Sequence, residues 1–224
     1  MKIKILTLNI WEGELLERII DFIHKENPDI ALLQEVHNGS GNLDFKYKSF
    51  SVLAEKLNYP YYSFGASFID KRSIGKIPKG NAIFSQFPLQ NKRSIFFDIS
   101  FGEFNSQKLD IYSKRIQFTP RSMLGANITV SNKDINLYSM HGIWGFDGKD
   151  NERRLAMSKT IVREIKDKKN VILAGDFNMD PNTKTIKNIE VYLQSVFNNE
   201  LTSTFNMKHK ELPGYATAAV DMVL

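Results

Sequence analysis

The sequence predicts a mixed α/β fold in which two stacked β-sheets carry helices on their outer faces. The first part of the chain alternates short apolar strands with segments of helical periodicity, which is typical of α/β proteins. The middle changes to consecutive segments of alternating apolar residues, which predict hairpins. Roughly nine strands and four helices follow from these patterns. The 224 residues, 42% of them hydrophobic, are enough for one sizeable domain.

The first four elements alternate strand and helix. Ile3–Ile10 is an apolar run of strand length, and a helix follows that Asn27-Pro28-Asp29 ends. Ile30–Gln34 is a second short strand, and a second helix ends at Asn58-Tyr59-Pro60. The apolar positions at helical spacing are Leu15, Leu16, Ile19, Ile20 and Ile23 in the first helix, and Phe50, Leu53, Ala54 and Leu57 in the second.

Strands dominate the middle of the chain. The predicted strands are Tyr61–Phe68, Asn81–Ser85, Arg93–Phe101 and Ser122–Ser131. The last of these continues across the turn Asn132-Lys133-Asp134 into Ile135–His141, which predicts a hairpin. A helix with Leu155, Ser158, Ile161, Val162 and Ile165 on one face follows. Val171–Gly175 is then a buried strand, a short helix carries Ile186, Ile189 and Leu193, and Ala219–Leu224 is a final strand.

The composition excludes several classes of site. The chain has no cysteine, which excludes disulfides, thiolate metal sites and a cysteine nucleophile. The N-terminal apolar run contains Asn9 and lacks a small-residue cleavage site, so a strand is favoured over a signal peptide. No apolar run approaches the ~20 residues that span a bilayer. We therefore expect a cytoplasmic protein; the sequence makes no prediction of its oligomeric state.

The positive charge is concentrated in the middle of the chain. Between Ala66 and Arg121 there are ten Lys or Arg and four Asp or Glu, so this segment carries +6 while the whole chain carries +5. Such a segment suits a polyanionic partner, either nucleic acid or an anionic lipid surface, although solvated lysines on edge strands give the same pattern. Within it, Asp98–Pro120 interleaves aromatic with basic residues, which suits a nucleic-acid strand or a membrane surface.

Polar side chains interrupt the apolar strands, each at a strand's carboxyl end. They are Asn9 in the first strand, Glu35 after the second, His141 after the hairpin, Asp176 with Asn178 after the next strand, and Asp221 in the last. A buried carboxylate is costly unless it meets a metal, a cation or hydrogen-bond donors. We therefore expect these side chains to converge on one pocket.

The residue types indicate the chemistry of that pocket. Asp176 and Asn178 have the spacing that places both side chains on one face of a strand. Hard oxygen ligands such as Glu35, with Asn9 nearby, suit Mg²⁺ or Mn²⁺ rather than zinc. A histidine beside a phosphate suits proton transfer or stabilisation of developing charge.

These motifs resemble those of the endonuclease/exonuclease/phosphatase family, whose members include DNase I-like nucleases, sphingomyelinases and inositol-phosphate phosphatases. The matching segments are TLNIW, ALLQE, GNAIFSQFPL, MHG, GDFN and VDMVL, in the order and rough spacing of the family. The resemblance covers nearly the whole chain, and it rests most on GDFN together with LLQE. It implies a DNase I-like, four-layered αββα sandwich of two mixed sheets with one divalent-ion site.

The resemblance also implies roles for individual residues. Glu35 would be the principal metal ligand, with Asn9 contacting or orienting the ligands. Asp176 would position or deprotonate the attacking water, and Asn178 would hold phosphate and water in line. His141 and Arg121 would contact the substrate phosphate. Asp221 matches an aspartate that orients a second histidine. Alternatively, His141 is a core or turn histidine, Arg121 a surface arginine, and Asp221 a frayed terminal residue.

The C-terminus departs from the family pattern. The family ends with a Ser-Asp-His segment some tens of residues after the position of Asp221, whereas this sequence stops at Leu224. We expect residues 1–224 to be one domain that is truncated at its C-terminus; a naturally degenerate member is the alternative. His209, in a polar segment flanked by lysines, is a poor substitute for the missing histidine. The loss predicts weaker catalysis and an unpaired sheet edge.

Three functional hypotheses follow. The first is a Mg²⁺- or Mn²⁺-dependent phosphodiesterase that uses in-line attack of water, with nucleic acid as the preferred substrate. The second is a sphingomyelinase-like, phospholipase C-like or phosphomonoesterase activity. The third is a catalytically weak protein that binds phosphate ligands through an incomplete site.

Overall fold

The structure, a computed structural model, describes residues 2–106, 118–145, 147–197, 200–205 and 219–224. Residues 107–117 of the predicted segment Asp98–Pro120, and His209, lie outside these described residues.

Ten strands and four α-helices make up the described part of the chain. In chain order they are β1 (Ile5–Asn9), α1 (Leu16–Glu26), β2 (Ile30–His37), α2 (Ser49–Lys56), β3 (Tyr61–Arg72), β4 (Gly75–Ser85), β5 (Gln90–Phe96), β6 (Glu103–Phe104), β7 (Ser122–Val130), β8 (Lys133–His141), α3 (Glu152–Ile165), β9 (Val171–Asp176), α4 (Lys184–Glu190) and β10 (Asp221–Val223). Short 3-10 turns lie at Trp11–Gly13 and Phe45–Lys48.

The strands form two five-stranded mixed sheets. The first sheet has the order β1-β2-β4-β3-β6, and the second has the order β10-β9-β8-β7-β5. β1 and β2 are parallel, as are β8 and β9, while long antiparallel hairpins join β3 to β4 and β7 to β8. A mixed sheet arises because some neighbouring strands are joined through helices and others through tight turns.

Three apolar cores separate four layers. One core packs α1 and α2 against the first sheet, one packs α3 and α4 against the second sheet, and one lies between the two sheets. β2 shows the reason: Ile30 and Leu32 face the inter-sheet core, whereas Ala31 and Leu33 face the helices. Alternate residues of a strand point to opposite faces, so a sheet covered on both sides needs a continuous apolar run. The predicted αββα sandwich is confirmed.

Several element boundaries differ from the sequence predictions. β3 continues to Arg72 and β4 begins at Gly75, beyond the predicted strands, and this extension brings Lys79 into the sheet. The turn between β7 and β8 lies at Ser131 and Asn132, both with positive φ, and not at Asn132-Lys133-Asp134. Positive φ at both central residues matches the right-handed twist of a hairpin, which explains the shift by one residue. Among the described residues, no helix is both long and apolar enough to cross a membrane.

Candidate active site

The predicted site residues meet where strands of the two sheets end at one edge. Asn9 is the last residue of β1 and pairs with Gln34 of the parallel β2, which places it beside Glu35. His141 and Asp176 are register partners at the ends of the parallel strands β8 and β9. Asp221 pairs with Asp176 from the antiparallel β10, so it reaches the edge from the start of its strand and not, as predicted, from its carboxyl end.

A β-bulge displays Glu35. The register between β2 and β4 shifts between Leu33 and Val36, and Glu35 has φ of 60°. β2 therefore does not end at Gln34 as predicted but continues to His37. A left-handed conformation is costly for a residue with a side chain and is tolerated where a bulge re-aims it. The bulge turns the Glu35 carboxylate out of the buried strand and into the cavity described below.

A hydrogen bond between Asn9 and Asp176 joins the two sheets at this edge. Asn9 Nδ2 donates to Asp176 Oδ2 at 3.0 Å, and the backbone N–H of Trp11 donates to Asn9 Oδ1 at 2.9 Å. Asn9 is thereby fixed with its amide group facing the carboxylate. Burial raises the pKa of Asp176 and the nearby Glu35 raises it further, although the bonds from Asn9 and Asn178 act in the opposite direction.

His141 stands between the two acidic side chains. Its Nε2 lies 3.8 Å from Glu35 Oε1 and 3.8 Å from Asp176 Oδ2. The side chain is buried, and burial together with the charges of Arg121 and Lys79 holds its pKa well below the ordinary range. The imidazole is therefore neutral at physiological pH, with one ring nitrogen available as a donor and the other as an acceptor.

Asn178 lies beyond the end of β9. The strand ends at Asp176, and Asn178 has φ of 56°, so the two side chains do not share a strand face as predicted. Instead, the backbone N–H of Asn178 donates to Asp176 Oδ1 at 2.8 Å, and its side-chain amide donates to the Gly142 carbonyl at 3.2 Å. An Asx-type turn explains the departure, because the Asp176 side chain caps the backbone two residues on.

A cavity of about 210 Å³ opens at this edge. Its lining residues are Glu12, Glu35, Phe68, Lys79, Ser106, Phe118, Thr119, Arg121, Ile143, Trp144 and Arg153. Arg121 precedes β7 and is close enough to Glu35 and Asp176 for their charges to act on its pKa, although burial is the larger effect and lowers that pKa. Arg153 stacks on Phe118 with its Cζ 4.0 Å from the ring centre. The structure thus places Arg121 and Glu35 in one cavity that can accept an anion.

Asp221 is held beside Asp176 without a cationic partner in the described part of the chain. Its Oδ1 is buried and has no hydrogen-bond partner there, while its backbone N–H donates to Thr204 Oγ1 at 3.2 Å. Burial raises the pKa of Asp221, and the Asp176 carboxylate raises it further. Burying a carboxyl oxygen without a hydrogen-bond donor costs free energy. A donor that reached Asp221 Oδ1 would therefore be bound favourably.

Three further charged residues, none of them predicted from the sequence as part of the site, shape it. Glu12 follows the first strand, Lys79 lies in the part of β4 that was not predicted, and Arg154 is fully buried in α3. A signal existed for Arg154 alone: it shares the helical spacing of Ser158, Ile161 and Ile165, which places it on the buried face.

The donor set of the site suits a hard divalent cation. Among the described residues, no three His, Asp or Glu side chains form a group that could hold a metal ion by themselves. Mg²⁺ does not need such a group, because it usually keeps several waters and binds one or two carboxylates plus substrate phosphate. Glu35 projects its carboxylate into the cavity, and the Asn9 amide lies at the same edge, so these residues fit such an ion.

Comparison with known proteins supports one family. The family model described as "Endonuclease/Exonuclease/phosphatase family" matches residues 6–206. No curated protein sequence matches the chain. Solved structures do match: a family protein from Leptotrichia buccalis is 18% identical with a TM-score of 0.67, and the match covers 99% of this chain and 86% of that one.

Two further structures resemble the fold. TDP2 from D. rerio, complexed with a single-strand DNA product, is 16% identical with a TM-score of 0.64, over 99% of this chain and 82% of that one. The mannosyl-6-phosphatase Bt3783 from Bacteroides thetaiotaomicron is 16% identical with a TM-score of 0.67, over 99% and 84%. Identities this low show a shared fold.

Proposed function

This chain belongs to the endonuclease/exonuclease/phosphatase family, and we propose that it is a divalent-cation-dependent phosphodiester hydrolase that acts on nucleic acid by in-line attack of water. One observation carries the proposal. Asn9 of the first sheet donates to Asp176 of the second, and His141 Nε2 lies 3.8 Å from both Glu35 and Asp176. An acid, a neutral imidazole and a candidate metal ligand therefore face one another at the rim of a cavity that also contains Arg121.

Asp176 is assigned the role of general base. Its Oδ1 and Oδ2 are held by Asn178 N–H and by the Asn9 amide, so the carboxylate is fixed in orientation and retains lone pairs for a water proton. Asn178 stands beside it and positions the water and phosphate. The neutral His141 donates a hydrogen bond to a phosphoryl oxygen, and Arg121 contributes the permanent charge that binds the phosphate.

Glu35, assisted by Asn9, would hold Mg²⁺ or Mn²⁺. When bound, this ion supplies positive charge that stabilises the developing charge on the phosphate. The buried Oδ1 of Asp221 has no hydrogen-bond partner among the described residues, so it is available to accept a hydrogen bond at this edge.

Nucleic acid is the proposed substrate because of the basic middle of the chain, which carries +6 between Ala66 and Arg121. The similar D. rerio structure holds a DNA product, which agrees with this choice. A second candidate is phosphomonoester hydrolysis. The small cavity of about 210 Å³, rimmed by Phe118 and Trp144, favours a compact phosphorylated group, and one similar structure is a mannosyl-6-phosphatase.

Cleavage of supercoiled plasmid DNA in Mg²⁺ tests the proposal. Glu35→Gln and Asp176→Asn should each slow nicking by about 10²–10⁴-fold, whereas the exposed controls Glu17→Gln and Asp167→Asn should not. p-Nitrophenyl phosphate and sphingomyelin vesicles serve as alternative substrates. If the protein hydrolyses p-nitrophenyl phosphate but not DNA, the substrate is a phosphomonoester. If it hydrolyses sphingomyelin but not DNA, the substrate is a lipid. DNA binding without turnover of any substrate would favour the phosphate-binding role and refute the hydrolase.

A further inference from the structure

A buried lysine adjoins the candidate metal ligand. Lys79 of β4 is only 5% exposed, and its Nζ lies 2.5 Å from Glu12 Oε1 and 3.6 Å from Glu35 Oε2. A buried ammonium is costly unless carboxylates surround it. Lys79 therefore lies between two carboxylates, one of which is the side chain assigned to the cation.

Glu12 is held from its other side as well. Arg72 donates to Glu12 Oε2 and also to Asp70 Oδ2 at 2.6 Å. Asp70 is fully buried and accepts hydrogen bonds from the backbone N–H and the hydroxyl of Ser106. Burial raises the pKa of Glu12, but Lys79 and Arg72 outweigh it and lower that pKa to about 2. The series Asp70–Arg72–Glu12–Lys79–Glu35, named here the ionic chain, consequently fixes the position of the ammonium.

The charged side chains that line the cavity already sum to a positive value. Glu12 and Glu35 are acidic, whereas Lys79, Arg121 and Arg153 are basic, which leaves a net charge of +1 among these lining residues. A divalent cation that enters alone adds to this excess, and a phosphate anion offsets it. Each ligand therefore makes the site more favourable for the other.

We propose, on the basis of the function assigned above, that Lys79 is a positioning residue with two effects. Its ammonium fixes the Glu35 carboxylate at the cavity, and it keeps the affinity of the free protein for a divalent cation low. Cation and phosphate then bind cooperatively. This coupling is reciprocal, since the factor by which phosphate tightens cation binding equals the factor by which the cation tightens phosphate binding.

Mn²⁺ binding to the full chain, measured by electron paramagnetic resonance with and without inorganic phosphate, tests this role. Lys79→Met should tighten Mn²⁺ binding without phosphate by about tenfold, because it removes a positive charge close to Glu35. It should also weaken phosphate binding and reduce the coupling factor. Lys79→Arg should keep both constants near those of the parent. Lys76→Met is the matched control, since Lys76 lies on the same strand but is exposed and pairs with Glu103.

The direction in which Lys79→Met changes the Mn²⁺ affinity distinguishes a positioning role of Lys79 from a merely structural one. Loss of a merely structural lysine would weaken the binding of cation and phosphate alike, so an unchanged or weaker Mn²⁺ affinity in Lys79→Met overturns the proposal. Glu12→Gln should change the Mn²⁺ affinity in the opposite direction. This variant tests the proposal even if Lys79→Met fails to fold. It removes a negative charge and leaves Lys79 to pair with Glu35 alone, so Mn²⁺ affinity should fall; a rise or no change would equally overturn the proposal.

Glu35→Gln distinguishes this proposal from the proposed function. If Mn²⁺ binding survives Glu35→Gln, the assigned cation site is wrong and the inference on Lys79 is rejected with it. If Glu35→Gln abolishes binding while Lys79→Met and Glu12→Gln behave like Lys76→Met, the cation site stands and only the role of Lys79 is refuted.

Discussion

Replacing Arg154 by methionine tests what holds the loops around the candidate site. Arg154 lies on α3 with its side chain fully buried. Its Nε donates to the Ile143 carbonyl at 3.0 Å, its Nη2 to the Asn178 carbonyl at 2.8 Å, and its Nη1 to the Lys149 carbonyl. One guanidinium thus ties the loop after β8 to the loop after β9, where His141 and Asp176 end their strands.

The magnitude follows from these contacts. Hydrogen bonds from a charged donor contribute about 1.5–3 kcal/mol each, and desolvation of the guanidinium offsets part of their sum. Methionine retains much of the apolar stem but leaves the three carbonyls without this donor. Each buried carbonyl left without a partner costs about 1–3 kcal/mol. We therefore expect Arg154→Met to lower the free energy of unfolding by about 3–5 kcal/mol, which corresponds to a Tm lower by about 10 °C.

Urea denaturation with Arg163→Met as the matched control measures this loss. Arg163 is exposed on the same helix and donates to Thr160, so its replacement should change stability by no more than about 0.5 kcal/mol. Hydrogen exchange should in addition quicken at the Gly142 and Phe177 amides, which bond to backbone carbonyls beside these loops. A loss below about 1 kcal/mol in Arg154→Met, or one equal to that of Arg163→Met, would refute the reasoning.

Three further predictions concern an ion pair, a glycine and the cation. Burial raises the pKa of Glu164, but the hydrogen bonds from Lys168, Tyr138 and Arg93 outweigh burial, and the pKa is lowered. The stability that these contacts contribute is therefore fully present above the pKa of Glu164 in the unfolded chain, and it is lost as the pH falls through the lower pKa of the folded protein. Glu164→Gln should therefore lower Tm at pH 7, and this difference should shrink below about pH 4; a constant difference contradicts the linkage. Gly175→Ala should lower Tm by more than about 5 °C, because φ is 150° and a Cβ there would lie 2.0 Å from the Met140 oxygen; an unchanged Tm sinks this reasoning. Chelation by EDTA should abolish hydrolysis reversibly and leave the circular dichroism spectrum unchanged; hydrolysis that persists in EDTA would refute the cation requirement.

The order of the elements was largely predictable. The short apolar run Ile30–Gln34 predicted a strand, and helical spacing in Leu15–Ile23 predicted α1, because both patterns are local. The predicted ends of the strands were less accurate where a strand is extended by pairing with its neighbour and not by its own apolar pattern. Residues 69–80 carry lysines, glycine and proline in place of an apolar alternation, yet β3 and β4 pair through them to Gly75. Pairing of the two strands with each other satisfies the backbone whether or not the side chains alternate.

The residues proposed for the candidate site could be named from the sequence, but their geometry could not. Asn9, Glu35, His141, Asp176 and Asp221 were identified because each places a polar group in or beside an apolar strand, and the structure brings all of them to one edge. Their contacts depend on the stacking of two sheets. The Asn9–Asp176 hydrogen bond joins residues 167 positions apart, and no local pattern specifies it.

The sequence by itself therefore indicated the family, the two-sheet architecture and the residues proposed for the candidate site. Hydrophobic periodicity and polar residues at strand ends are properties of a few neighbouring residues, so they can be recognised in the sequence without knowledge of the tertiary structure. The tertiary structure decided that a bulge turns Glu35 into the cavity, that Asn178 leaves the strand, and that Lys79 lies between Glu12 and Glu35. These features arise from register, burial and long-range charge pairing, which depend on contacts between segments distant in the chain.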